Sequence, residues 1–241
     1  MIRKLSRPEP QPPWSFPGAI AAIVAMFAAL VIGTTLAQTV LDDSPAALLT
    51  GWSVGMILTV AFVLITRRRT PEDERALAIG PTRSRLPIVL LFGLGAGIAL
   101  DLVSQAVTGE FNLASSELLT LSAEGTTFAG WVIAFLFMGL LQPVGEELVF
   151  RGMLYPAVRH VLGTWSTLLM VAGFHAAFHF AAYTPVADDR TIFVWYGFVL
   201  PLLDALVITG VRAYTGSTRS AIMAHAGIGL FMVLKVLVVA G

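Results

Sequence analysis

Seven stretches of this chain, at about 18–38, 48–66, 86–106, 128–148, 163–183, 192–210 and 219–240, are each long and apolar enough to cross a bilayer as a helix. In hydrocarbon every backbone N–H and C=O must find its partner within the protein, which leaves helices and closed barrels. Apolar runs of this length are not the ten-residue alternation of barrel strands, so helices are expected. The stretches occupy most of the 241 residues and leave no room for a soluble domain. Charged residues make up only 12% of the chain, against about 25% in an ordinary soluble domain. With 56% hydrophobic residues and a mean hydropathy of +0.82, the polar groups available could not cover a surface in water. The fold class predicted is all-α: a polytopic integral membrane protein of about seven to eight transmembrane helices around a central, inward-opening cavity.

The cations set an orientation. Arg3, Lys4 and Arg7 precede the first apolar stretch, Arg67, Arg68, Arg69, Arg75, Arg83 and Arg85 fill the loop after the second, and Arg212 and Arg219 precede the last. The opposite loops carry Asp42, Asp43, Glu110, Glu117, Glu124, Asp188 and Asp189, with Arg190 as their cation. The positive-inside rule then predicts a multi-pass protein of the cell membrane with a cytoplasmic N-terminus. Residues 1–17, rich in proline, read as a disordered cytoplasmic lead-in; 18–84 read as two helices and a basic cytoplasmic loop; 85–241 hold the remaining helices. The first helix has a long polar lead and a poor cleavage site at Thr35-Leu36-Ala37, so it is expected to be retained.

The absence of cysteine removes disulfides, thiol nucleophiles and thiolate metal sites, and 15 cations against 15 anions leave no basic face for nucleic acid. Chemistry must come from the ionisable groups inside the apolar stretches: Asp101, Glu146, Glu147, Arg151, His175, His179, Asp204 and His225. Each costs about 2.5–3.5 kcal/mol near a helix centre, which makes it a candidate for function. Glu147 and Arg151, four apart, share a helix face and can pair, while Glu146 points about 100° away and is left free. Measured from a turn near 162–163, Glu146 lies about 16 residues back and His179 about 16 forward. In an antiparallel hairpin that puts them at equal depth. His225 is about 9 Å beyond Arg219 and should reach the same cavity.

The run Glu146-Glu147-x-x-x-Arg151, followed on successive apolar helices by His179 and His225, resembles the motifs of the CPBP family, which unites type II CAAX prenyl endopeptidases with bacteriocin-processing and Abi-type membrane proteins. The resemblance extends over about residues 85–240 and marks 85–241 as a CPBP-like intramembrane protease domain. It implies an endopeptidase that acts on a membrane-associated peptide or protein. Glu146 would activate water as general base, His179 would hold that water, and His225 would stabilise the oxyanion. Glu147 and Arg151 would be a supporting pair. A carboxylate taken out of water becomes a stronger base, which suits this role. Two positions depart from the family pattern: His175 stands where the family has Phe, and Gly229 where it has the Asn that steadies the oxyanion.

The plainer explanation of Glu146, Glu147 and Arg151 is an ion-pair cluster that fixes packing, but three charges in one turn are costly for packing alone. Asp101 and Asp204 read as paired or cavity-lining residues, and Gly51-x-x-x-Gly55 and Gly93-x-x-x-Gly97 as close helix contacts. The chain lacks His-Glu-x-x-His, Gly-x-Ser-Gly and Gly-x-Gly-Asp, which removes the usual zinc, serine and aspartyl intramembrane sites. No cofactor is required, yet His175, His179, His225 and a Glu could hold zinc. A catalytically silent immunity or scaffold protein of the same fold stays open, favoured by Gly229. A transporter is disfavoured by the lack of pseudo-symmetric halves.

Overall fold

The computed structural model describes residues 9–41, 45–109, 118, 127–183 and 189–240. Among the described residues seven helices are long and apolar enough to span a membrane: α1 Phe16–Leu41, α2 Pro45–Arg67, α4 Leu86–Thr108, α5 Phe128–Arg159, α6 Thr164–Tyr183, α7 Arg190–Thr215 and α8 Thr218–Ala240. One short helix, α3 Pro71–Leu77, lies in the arginine-rich loop, and no strand occurs among the described residues. The chain is therefore an all-α, multi-pass membrane protein. Of the loop charges used for orientation, Arg3, Lys4, Arg7, Asp42, Asp43, Glu110, Glu117, Glu124 and Asp188 lie outside the described residues.

Close pairs of helices form where glycine removes the side chain. A Cβ on Gly51 of α2 would fall on the backbone of Thr34 in α1, and one on Gly93 of α4 would fall on the carbonyl of Ala224 in α8. Without a hydrophobic force between helices in lipid, this close backbone contact is what binds them. The pair α4 and α8 is also tied by Asp101, whose carboxylate accepts from Lys235 Nζ and from Gln105 Nε2. Helix α3 starts with a reciprocal cap between Thr70 and Asp73. Its end is held by α8, where Thr218 donates from Oγ1 to Leu77 O and from its amide to Ala78 O.

Helix α5 has 32 residues, which at 1.5 Å each is about 48 Å, longer than the roughly 30 Å hydrocarbon core. A helix of that length must tilt or project beyond the hydrocarbon at one of its ends. Three segments of the spans are wound as π-helix: Phe137–Leu141 and Leu148–Leu154 in α5, and Trp195–Val199 in α7. Each ends two residues before a proline (Pro143, Pro156, Pro201), and each of these prolines has a glycine four residues earlier (Gly139, Gly152, Gly197). Proline cannot donate to the carbonyl four residues back and its ring presses on it, so the helix opens by one residue. Glycine at the pressed position lets the backbone move.

The proline-rich lead-in differs from expectation over residues 9–15. Pro12 and Trp14 are buried, and Trp14 donates its indole N–H to Met153 O at 3.0 Å. Glu9 pairs with the buried Arg212 at 2.7 Å. A buried guanidinium needs a counter-charge and an indole N–H needs an acceptor, and these two contacts draw the segment onto the protein.

Candidate active site

The segment Gln142–Glu147 lies between two π-helical segments, so its side chains are turned relative to an unbroken helix. Glu146 and Glu147 are completely buried. The spacing argument left Glu146 free, whereas its carboxylate accepts four hydrogen bonds. Oε1 receives Gln142 Nε2 at 3.1 Å and Tyr183 Oη at 3.1 Å. Oε2 receives His175 Nε2 at 2.8 Å and His179 Nε2 at 3.0 Å. A carboxylate offers about four lone-pair positions, and here all four face donors.

Glu147 pairs with Arg151 Nη1 at 2.9 Å, as the four-residue spacing predicts. The same oxygen, Oε1, accepts from His225 Nδ1 at 2.9 Å. His225 thus enters the cluster through Glu147 rather than through Glu146. The guanidinium of Arg151 is held by three further groups of the hairpin and α7: His175 Nδ1, Thr209 Oγ1 and the carbonyl of Ala205, the last at 2.8 Å. His175, read as the substitute for a Phe, occupies the centre of the cluster, between Arg151 and Glu146. The flat-ring expectation also has a physical basis, since His175 stacks on Phe150 with ring centroids 4.5 Å apart.

This wiring fixes a tautomer. A guanidinium only donates, so His175 Nδ1 accepts and its proton must sit on Nε2, which donates to Glu146. Glu146, His175 and His179 offer ligand atoms all within 4.8 Å of one another, compact enough for a metal. The donor set nevertheless does not suit zinc. A ligating imidazole needs its lone pair toward the metal and its N–H toward an acceptor, and His175 has the reverse arrangement, with its far nitrogen facing Arg151.

His179, His225, Gln142 and Asp204 line a small recess of about 50 Å³ whose other walls include Met138, Tyr196, Leu200, Ile228 and Met232. The lining rises from the level of Gln142 and His225 toward the ends of the spans at Thr127 and Asp189. An opening toward the arginine-rich loops was expected. On that side Arg151, Met153, Thr209 and Arg212 are fully buried and fill the space.

Gly229 also borders the recess, one turn after His225. A Cβ built there would fall on the carbonyl of Met138, part of a π-helical turn of α5. The oxyanion amide inferred for this position has no room, because the two helix backbones meet here. Gly229→Asn is therefore expected to lower stability by about 1–3 kcal/mol, the usual cost of overpacking, rather than to add a donor. A wild-type unfolding midpoint in detergent would contradict this.

Two residues of the cluster have no part in the motifs, Gln142 and Tyr183. Helical spacing contains the signal for both: Gln142 is four residues before Glu146, and Tyr183 four after His179. Tyr183 is fixed by aromatic contacts with Trp52 at 5.0 Å and Phe137 at 6.4 Å between centroids.

Residues 128–231 match the family model described as type II CAAX prenyl endopeptidase, Rce1-like. No curated protein and no solved structure gives a significant match. The matched segment starts later than the motifs suggested, at α5, and contains every residue of the polar cluster. Over that segment, less than half of its length, the chain is similar to the Rce1-like type II CAAX prenyl endopeptidases, which supports membership of the CPBP family.

Proposed function

We propose that this protein is a glutamate-dependent intramembrane endopeptidase that hydrolyses a peptide bond of a membrane-associated protein or peptide. The observation that carries the reading is a buried carboxylate, Glu146, bonded to two histidines of which one, His179, borders the recess. His179 is the partner best placed to yield: its side chain is 12% exposed, against 3% for His175. A water entering between Glu146 Oε2 and His179 Nε2 would give its proton to Glu146 as its oxygen attacks the scissile carbonyl. The C–N bond then breaks and the amine leaves with that proton. His225 donates Nδ1–H to Glu147, which fixes the ring at the edge of the recess, beside the place where the oxyanion would develop. The apolar walls of Met138, Leu200, Ile228 and Met232 suit an aliphatic side chain beside the scissile bond. No step needs a metal, in keeping with the tautomer of His175.

The N-terminus is read as cytoplasmic and the protein as resident in the cell membrane, on the strength of the arginine-rich loops. The test is a membrane-anchored reporter peptide cut by the wild type in reconstituted vesicles. His179→Ala and His225→Ala are each expected to lose on the order of 10²–10³ in turnover. Chelator should leave the wild-type rate unchanged. Loss of activity in chelator with recovery in zinc would overturn the metal-free reading.

A further inference from the structure

We infer that residues 9–15, outside the segment that matches the family, are part of the machinery that positions the site, with Glu9, Trp14 and Arg212 holding the π-helical turn that aims Arg151. That these residues serve a catalytic site rests on the function proposed above; the contacts do not.

The turn Leu148–Leu154 carries a defect that α5 cannot repair alone. The amide of Tyr155 donates to Phe150 O, so it is not available to Arg151 O four residues before it. The next amide along would belong to Pro156, which has none. The carbonyl of Arg151 is thereby left without the backbone donor of either helix type, in a buried place where an unmade hydrogen bond costs about 1–3 kcal/mol. Arg212 of α7 supplies the donor through Nε at 3.3 Å. Arg212 is itself fully buried, lies over the ring of Tyr155 at 4.8 Å, and directs Nη1 to Glu9. Two residues along the same turn, Met153 O accepts the indole N–H of Trp14. The strap therefore contributes a charge to Arg212 and a donor to Met153, and both act on the backbone that carries Arg151. At its other end the Arg151 side chain fixes Glu147 and the tautomer of His175. A chain of contacts thus runs from Glu9 through Arg212 and Arg151 to His175 and Glu146. Glu9, Trp14 and Arg212 are positioning residues: none of them borders the recess.

The test uses the full chain in bilayer nanodiscs, with 15N-labelled histidine and amide hydrogen exchange read peptide by peptide. The variants are Glu9→Gln, Glu9→Asp and Trp14→Phe. The wild type should show the Nε2–H tautomer at His175. Glu9→Gln and Trp14→Phe should each shift the His175 signal and raise amide exchange over 148–155 about tenfold or more, while Glu9→Asp restores both toward the wild type. Reporter turnover in the first two should fall about 10- to 100-fold, the scale of a misplaced group, with KM little changed because the recess is intact. An unchanged His175 signal and unchanged exchange in both variants would overturn the inference. If Glu9→Gln does not fold, Trp14→Phe, which keeps a ring and loses one hydrogen bond, decides alone. A wild type that cuts nothing while the His175 signal responds would end the protease reading and leave the strap standing. Glu146-dependent cleavage kept at full rate in both variants, with His175 unmoved, would do the opposite.

Discussion

Arg151→Met is expected to destabilise the folded protein by about 3–5 kcal/mol, the loss typical of removing one partner of a buried ion pair. Methionine fills much of the volume, so the effect is electrostatic more than steric. Arg151 donates to Glu147, His175, Thr209 and Ala205 O, and all of these partners lose it together. Glu147 suffers most, because its other carboxylate oxygen, Oε2, has no hydrogen-bond partner among the described residues. Arg151→Lys keeps the charge but not the planar fork that reaches four groups, and should recover only part of the loss. Unfolding titrations in mixed micelles measure both, and a change below about 1 kcal/mol in the methionine variant would show that the cluster is not held by this guanidinium.

Glu146→Gln is expected to reduce peptide hydrolysis about 10²- to 10⁴-fold while the protein stays folded, the contribution of a positioned general base. The fold survives because the amide can be accommodated in one orientation. Its oxygen must face the histidines, since His175 Nε2 is compelled to donate by Arg151 on the other side of the ring. Its NH2 then faces Tyr183 Oη and Gln142, and both can accept, the first through its hydroxyl oxygen and the second by turning its own amide. Equal unfolding midpoints with a collapsed rate are the expected pair of results. Undiminished cleavage would remove Glu146 from the mechanism.

The fold class was legible in the sequence because apolar length alone excludes the alternatives in a bilayer. The meeting of Glu146 with His179 was legible too, because an antiparallel hairpin converts distance from the turn into depth. What spacing could not give was the donor count on Glu146. Glu146 and Glu147 still leave the segment Gln142–Glu147 about 100° apart, and His175 joins them by reaching Glu146 with one ring nitrogen and Arg151, the partner of Glu147, with the other, between the π-helical turns that flank the segment. The signal for those turns is present as Gly139-x-x-x-Pro143, Gly152-x-x-x-Pro156 and Gly197-x-x-x-Pro201, the three prolines of the chain with a glycine four residues earlier. The reason for a glycine at 229 lies outside the spacing in the same way: the contact that excludes a side chain there is with the Met138 carbonyl, on a helix about ninety residues away in sequence. The prolines of the lead-in predict disorder, although Trp14 and Glu9 both have buried partners that only the folded α5 and α7 present.

The most direct measurement compares the peptide termini in membranes of cells that express the wild type with those of cells that express Glu146→Gln at equal level. A glutamate-dependent intramembrane endopeptidase predicts a set of new termini, in or beside membrane segments, present with the wild type and missing with the variant. Identical sets of termini in the two membranes, with both proteins folded, would contradict it and leave a silent protein of the same fold.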